Sequence, residues 1–327
     1  MRIVPARLPG LAVLFAVALV MAQPAPVQKT LLAQIDAALQ AGEADKALAL
    51  IASLPQGGAT SAEAQNLECR VRFMLEQWNT AAGACEQAVR LDEGNSDYHM
   101  WLGRALGERA DRASFLSAYS LGKQVRAQFE AAVELDPHNP AALYDLGSFY
   151  KDAPGFMGGG PDKAEAVARQ LDRVDPAHAH QLRAEIAEKG GDSTTAEREL
   201  KQAVAASAHP AFQWTVLASF YRRRRELPQM EAAIQSCVAA AARDKTAGVA
   251  LYDGAGVLIR ARENPQLAAK MLQDYLAGNS MTDEGPAFVA RWRLARLLEQ
   301  LGDAAGAQRQ RAAALVMAHE YRPQDLN

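Results

Sequence analysis

Between Ala211 and Arg243 the apolar residues recur at helical intervals along two successive faces. Trp214, Leu217, Ala218 and Tyr221 lie three or four residues apart and so share one side of a helix, and Met230, Ile234 and Cys237 repeat the pattern further on. The polar stretch Arg222–Leu227 between them predicts a turn. Pro228 suits the first turn of a following helix, where its missing amide proton has no helical partner to lose. A helix, a turn and a second helix therefore fill about 34 residues, a length at which tandem helix-pair arrays repeat.

The same alternation runs through most of the chain and predicts units over about 28–61, 62–95, 96–139, 140–176, 177–210, 211–244, 249–282 and 288–321. Leu31, Ile35, Ala47 and Ile51 mark the first unit, with Gly42 ending its first helix. The second is weakly patterned until Ala81, Cys85 and Ala88. In the third, which is about ten residues longer than the repeat length, Phe115, Tyr119, Gly122, Val125 and Phe129 keep helical spacing through the extra stretch. This predicts lengthened helices that project beyond their neighbours, not a loop.

Leu143, Leu146, Gly147 and Tyr150 open the fourth unit, and its insert Asp152–Lys163 contains Gly158-Gly159-Gly160. Three glycines predict a shaped turn with positive φ and close backbone approach. Ala184, Ala196, Leu200 and Ala203 mark the fifth unit, and Tyr252, Ala255, Gly256, Ala268 and Leu272 the seventh. Gly278–Pro286 reads as a loop, and Leu294, Ala295, Leu298, Ala307 and Ala314 mark the eighth unit, whose polar outer face suits a terminal cap. No sustained period-two run of Val, Ile or Thr interrupts the series, so the chain reads as all-α and as one continuous array.

With Ala211 as the first position of its unit, Ala218 and Cys237 supply small residues at the eighth and twenty-seventh places, while large residues fill the fourth, seventh, eleventh and twenty-fourth. This resembles the tetratricopeptide repeat, with Met230 departing from the small residue usual at the twentieth place. The resemblance implies a right-handed superhelical solenoid of about eight antiparallel helix pairs whose first helices line a concave groove. Carried over place by place, it assigns to that groove Asp97, Met100, Arg104 and Glu108 in the third unit, and Tyr144, Ser148, Lys151 and Asp152 in the fourth. It adds Gln181 and Glu185 in the fifth unit, and Phe212, Thr215, Ser219, Arg222 and Arg223 in the sixth. Aromatic anchors among charges of both signs suit another protein, presented as an extended peptide or a helix. The Lys/Asn arrangement with which some family members hold a C-terminal carboxylate is missing, so that specificity is not carried over.

Composition narrows the partners. Residues 1–22 read as a signal peptide, with Arg2 and Arg7 before the apolar run Leu11–Val20, followed by a linker over 23–27; residues 322–327 form a C-terminal tail. Removing Arg2 and Arg7 leaves 33 basic residues against 38 acidic ones, a formal charge of −5. That balance argues against nucleic acid. Contact with membrane is expected only through the signal before its cleavage, and a periplasmic or secreted protein follows. In an oxidising compartment Cys69 and Cys85, on facing helices of the second unit, can form a disulfide and leave Cys237 over; the alternative is three small buried thiols.

Candidate chemistry changes little. Lys163 after Pro161-Asp162 has neither the spacing nor the strand-to-helix context of a phosphate loop. His178 and His180, two residues apart, do not share a helix face and have no third ligand in register. Glu185 and Glu188 sit on a charge-rich helix, and Arg222–Arg225 form a solvated turn. No hydrolase, zinc-protease or dinucleotide pattern occurs at a supporting spacing. The sequence therefore predicts no enzyme, no metal and no cofactor. It predicts a binding scaffold, with an accessory component of periplasmic solute uptake, holding a small ligand or a transporter subunit, as the alternative.

Overall fold

Many of the helices begin or end at a local signal. Asn95, Asn139, Asp175, Asp192, Asn264 and Asp303 each cap the N-terminus of the following helix with a side-chain oxygen that accepts from its first free amides. Within most pairs the first helix stops at a residue in the left-handed region: Gly42, Glu76, Gly191, Arg225, Arg262 and Gly302. The amide of the next residue then reaches back to a carbonyl in the last turn, as Glu43 does to Ala38 and Asp303 to Leu298.

A computed structural model describes residues 26–55, 61–278 and 281–323. The expected signal peptide lies outside the described residues, as does most of the expected tail. The described residues form sixteen α-helices and no strand. In order they are α1 Pro26–Gln40, α2 Ala44–Ala52, α3 Ala62–Met74, α4 Trp78–Leu91, α5 Ser96–Asp111, α6 Phe115–Leu135, α7 Pro140–Asp152 and α8 Pro161–Leu171. The second half continues with α9 Pro176–Lys189, α10 Ser193–Ala206, α11 Ala211–Arg223, α12 Leu227–Ala241, α13 Gly248–Ala261, α14 Pro265–Ala277, α15 Ala287–Gln300 and α16 Ala304–Met317. Helix α1 starts at Pro26, inside the stretch read as a linker. Consecutive helices pack as eight pairs, and each pair packs on the next. This is the all-α array of helix pairs that the sequence pattern implies. Among the described residues no helix is long and apolar enough to cross a membrane.

Small residues let the helices approach closely: Ala81, Ala164, Ala196, Ala218, Ala268, Ala295 and Ala307 are fully buried. Helix α6 runs for 21 residues against 14 in α4, so the extra stretch of the third unit is helical. Val125 and Phe129 pack into the core, whereas Phe115 and Leu116 at the projecting end are 77% and 80% exposed. The glycine insert makes a short 3-10 turn, Gly155–Met157, after which Gly158 takes φ +92 and Gly159 lies so close to Ala153 that a Cβ would fall 1.8 Å from its carbonyl oxygen. Cys69 on α3 and Cys85 on α4 are joined as a disulfide, with their Cα atoms 5.1 Å apart. Cys237 stays buried, and that burial pushes its thiol up to about 12.

The two ends of the array meet. Leu32, Ile35 and Leu39 of α1 belong to the same apolar cluster as Phe288 of α15 and Tyr321, whose rings sit 4.8 Å apart. A Cβ on Gly42 would lie 2.6 Å from the backbone nitrogen of Ala287. Helix α16 packs on α2, Asp45 accepts from both the backbone amide and Nδ1 of His319 at 2.8 Å, and the Tyr321 hydroxyl donates to Glu76. The eighth unit is therefore no free cap. Its Ala-rich helix and the segment after it seal against the first and second units.

Candidate functional site

The first helices of successive pairs face inward, and their side chains line three adjoining cavities. The loop between α14 and α15 crosses to the opposite wall. Arg70 of α3 donates to Asp283 at 2.8 Å, and Arg104 of α5 donates through Nε to Asp145 of α7 at 2.6 Å while its Nη1 sits 3.6 Å from Glu284. Both guanidinium groups stack on Trp101, at 5.4 and 4.9 Å from the ring centre. Burial pulls the Arg104 guanidinium down, but the carboxylates of Asp145, Glu284 and Asp283 together hold it above its ordinary value. The loop is anchored from behind by Tyr275, whose hydroxyl donates to the Gly285 carbonyl and accepts from the Thr282 amide.

On the next helices a second network forms. The Tyr144 hydroxyl donates to Glu185 and accepts from Gln181 at 2.6 Å, and the Lys151 ammonium lies 3.4 Å from the other Glu185 oxygen. Burial first, and the Glu185 carboxylate second, push the Tyr144 phenol well above its ordinary value. His178 bridges the Tyr144 and Phe212 rings at 5.3 and 6.2 Å, and is itself held by the cap residue Asp175. His180 pairs with Glu199 at 2.8 Å. Both histidines thus have structural partners.

Most of the expected groove residues border one of three cavities. Arg104, Glu108, Ser148 and Asp152 border a cavity of about 560 Å³ between α5, α6 and α7. Lys151, Asp152, Glu185, Phe212, Thr215, Ser219 and Arg223 border one of about 680 Å³, whose far wall is Asp253, Val257 and Arg260 of α13. Arg222 reaches a third, of about 590 Å³, against α13 and α15. Asp97 instead sits at the rim, accepting from Asn139. Met100 and Gln181 are buried, each at 6% exposure, and build the wall without bordering a cavity, and Thr215, at 3%, reaches its cavity only from within the wall. Their places in the repeat point inward, but the neighbouring pair covers them.

Sequence reading missed Asp253, Arg260, Arg293, Asp283 and Glu284. Continuing the place count into the seventh unit from Val249 would have found Asp253 at the fifth place and Arg260 at the twelfth. Nothing local marked Asp283 and Glu284, because a loop's destination is set by what it meets. Burial pushes the Asp253 carboxyl up to about 6, against the pull of Arg293 and Arg260.

No protein-family model matches the sequence, and none of the curated proteins does. Solved structures do. TTC0263, a thermophilic TPR protein of Thermus thermophilus, matches with a TM-score of 0.50 and 18% identity over 59% of this chain and 98% of that one. The Cut9–Hcn1 hetero-tetramer of the APC/C matches with a TM-score of 0.40 and 14% identity over 84% of this chain and 50% of that one. MamA matches at 0.34 and 13% over 53% and 93%. At such identities a likeness speaks for fold alone, and here it joins the eight consecutive helix pairs and the small residues at their closest approaches. By fold, this chain is a tetratricopeptide-repeat-like solenoid.

Proposed function

We propose that the protein is a non-enzymatic scaffold whose inner face binds another protein through an extended, acid-bearing segment. One observation carries this reading: the inner face already holds such a segment of its own chain. Thr282–Gly285 lies across it with Asp283 on Arg70 and Glu284 beside Arg104, and its backbone is fixed by Tyr275. Guanidinium groups braced on Trp101 and neighbouring carboxylates are pre-organised donors, so they can hold a carboxylate with little ordering cost. The adjoining trough, with Phe212 between Lys151, Glu185 and Arg223, extends the same mixture of ring and charge.

We propose the periplasm or the exterior as its location, a reading supported by the sequence pattern of residues 1–22 and by the Cys69–Cys85 bond. Mass spectrometry of the secreted form is expected to find Gln23 at the new N-terminus. The binding face is tested by capture from envelope extract with the mature protein, repeated with Arg104→Glu and Tyr144→Ala. Both variants are expected to lose the same bound proteins, and an unchanged set removes the inner face from the proposal.

A further inference from the structure

Five arginines, Arg222, Arg260, Arg262, Arg293 and Arg296, line the cavity of about 590 Å³ between the ends of α11 and α13 and the side of α15. Glu263 is the one carboxylate among its lining residues. Among the described residues none of the five arginines forms an ion pair, although most charged groups elsewhere on the inner face do. Arg293 leans over the Tyr252 ring, 4.5 Å from its centre, and the buried Nε of Arg222 has no hydrogen-bond partner. This concentration of positive charge stands in a chain whose formal net charge is −3.

Such a cluster is unfavourable when empty. Burial, and then repulsion from Arg222 and Arg293, hold the Arg260 guanidinium below its ordinary value. Asp253 and Glu263 are the nearby acids, and neither forms an ion pair with any of the five. Guanidinium groups keep their charge at any ordinary pH, so the repulsion persists unless anions enter. Each planar fork can take two oxygens of a phosphate or carboxylate. Besides Gln300 and Glu263, the remaining wall is apolar, with Leu258, Ile259, Leu297 and Pro265, and the volume falls in the range of small-molecule sites.

We propose that this cavity is a binding site for a small organic polyanion carrying at least two phosphate or carboxylate groups, with Arg222, Arg260, Arg293 and Arg296 as its main contacts. The site does not rest on the scaffold reading, since neither Arg70, Arg104 nor the Thr282–Gly285 segment lines this cavity and its test needs no protein partner.

The test is calorimetric titration of the mature protein with inorganic pyrophosphate and, separately, with citrate, using acetate as the single-charge control. Saturable binding of either probe, weakened at least tenfold in the double variant Arg260→Gln with Arg296→Gln, supports the site, and the preferred probe tells phosphate from carboxylate ligands. The ligand-free melting temperature supplies a second readout. Because the arginines repel one another, the double variant is expected to melt at the same temperature as the parent or higher. Four outcomes overturn the proposal. These are no saturation with either probe, equal affinity in the double variant, acetate binding as tightly as citrate, or a clear drop in the ligand-free melting temperature, which would make the arginines structural.

Discussion

Closure of the array can be measured by comparing two glycines at the same place in their repeats. Gly42 and Gly302 both end the first helix of a pair with positive φ, +70 and +87, so alanine at either is strained by about 1–2 kcal/mol. Around Gly302 a Cβ meets nothing within 4 Å, whereas at Gly42 it would sit 2.6 Å from the Ala287 nitrogen and 3.0 Å from the Ala287 Cβ. Both of those atoms are anchored in the first turn of α15, so the strain is relieved only by moving the first unit away from the eighth. Separation exposes the seam and breaks the two hydrogen bonds from His319 to Asp45, each contributing about 0.5–1.5 kcal/mol. Gly302→Ala is therefore expected to destabilise by about 1–2 kcal/mol, and Gly42→Ala by about 4 kcal/mol. Urea unfolding measures the difference, and small-angle scattering should show a larger radius of gyration for Gly42→Ala alone. Equal losses in the two variants, with equal radii, would refute the contact between the ends.

Two further outcomes follow from the core. The Cys69–Cys85 bond closes a loop of 16 residues, so the double alanine variant is expected to lose about 3 kcal/mol, read as a lower melting temperature that reducing agent no longer changes. For Asp253 the folded carboxyl sits near 6, above its unfolded value, so the folded state binds the proton more tightly and stability falls as pH rises from about 4 to 6. Asp253→Asn should then stabilise the protein by about 2–3 kcal/mol at pH 7 and by almost nothing at pH 4, measured by urea unfolding at both.

Much of the architecture was legible because it is local. The intervals Trp214, Leu217, Tyr221 and Met230, Ile234, Cys237 specify which side of each helix is apolar, and all but Trp214 are buried. The weakly patterned opening of the second unit is still a full helix, α3, because its buried side includes Asn66 and Cys69, which an apolar count undervalues. Place counting found inward-facing positions such as Arg104, Lys151 and Glu185. It could not separate these from Met100, Gln181 and Thr215, whose exposure depends on how closely the neighbouring pair approaches.

What the sequence alone determined was the helix pairs, because a period of 3.6 residues, a capping side chain and a left-handed stop act within one or two turns. What only the tertiary structure decided was everything that joins distant units: Gly42 on Ala287, Asp283 on Arg70, and five arginines around one cavity. In a solenoid each unit rotates slightly on the last, and those rotations accumulate along the whole array before its ends can meet. No stretch of 34 residues carries that sum, so closure, and the inner face it encloses, are properties of the assembled array.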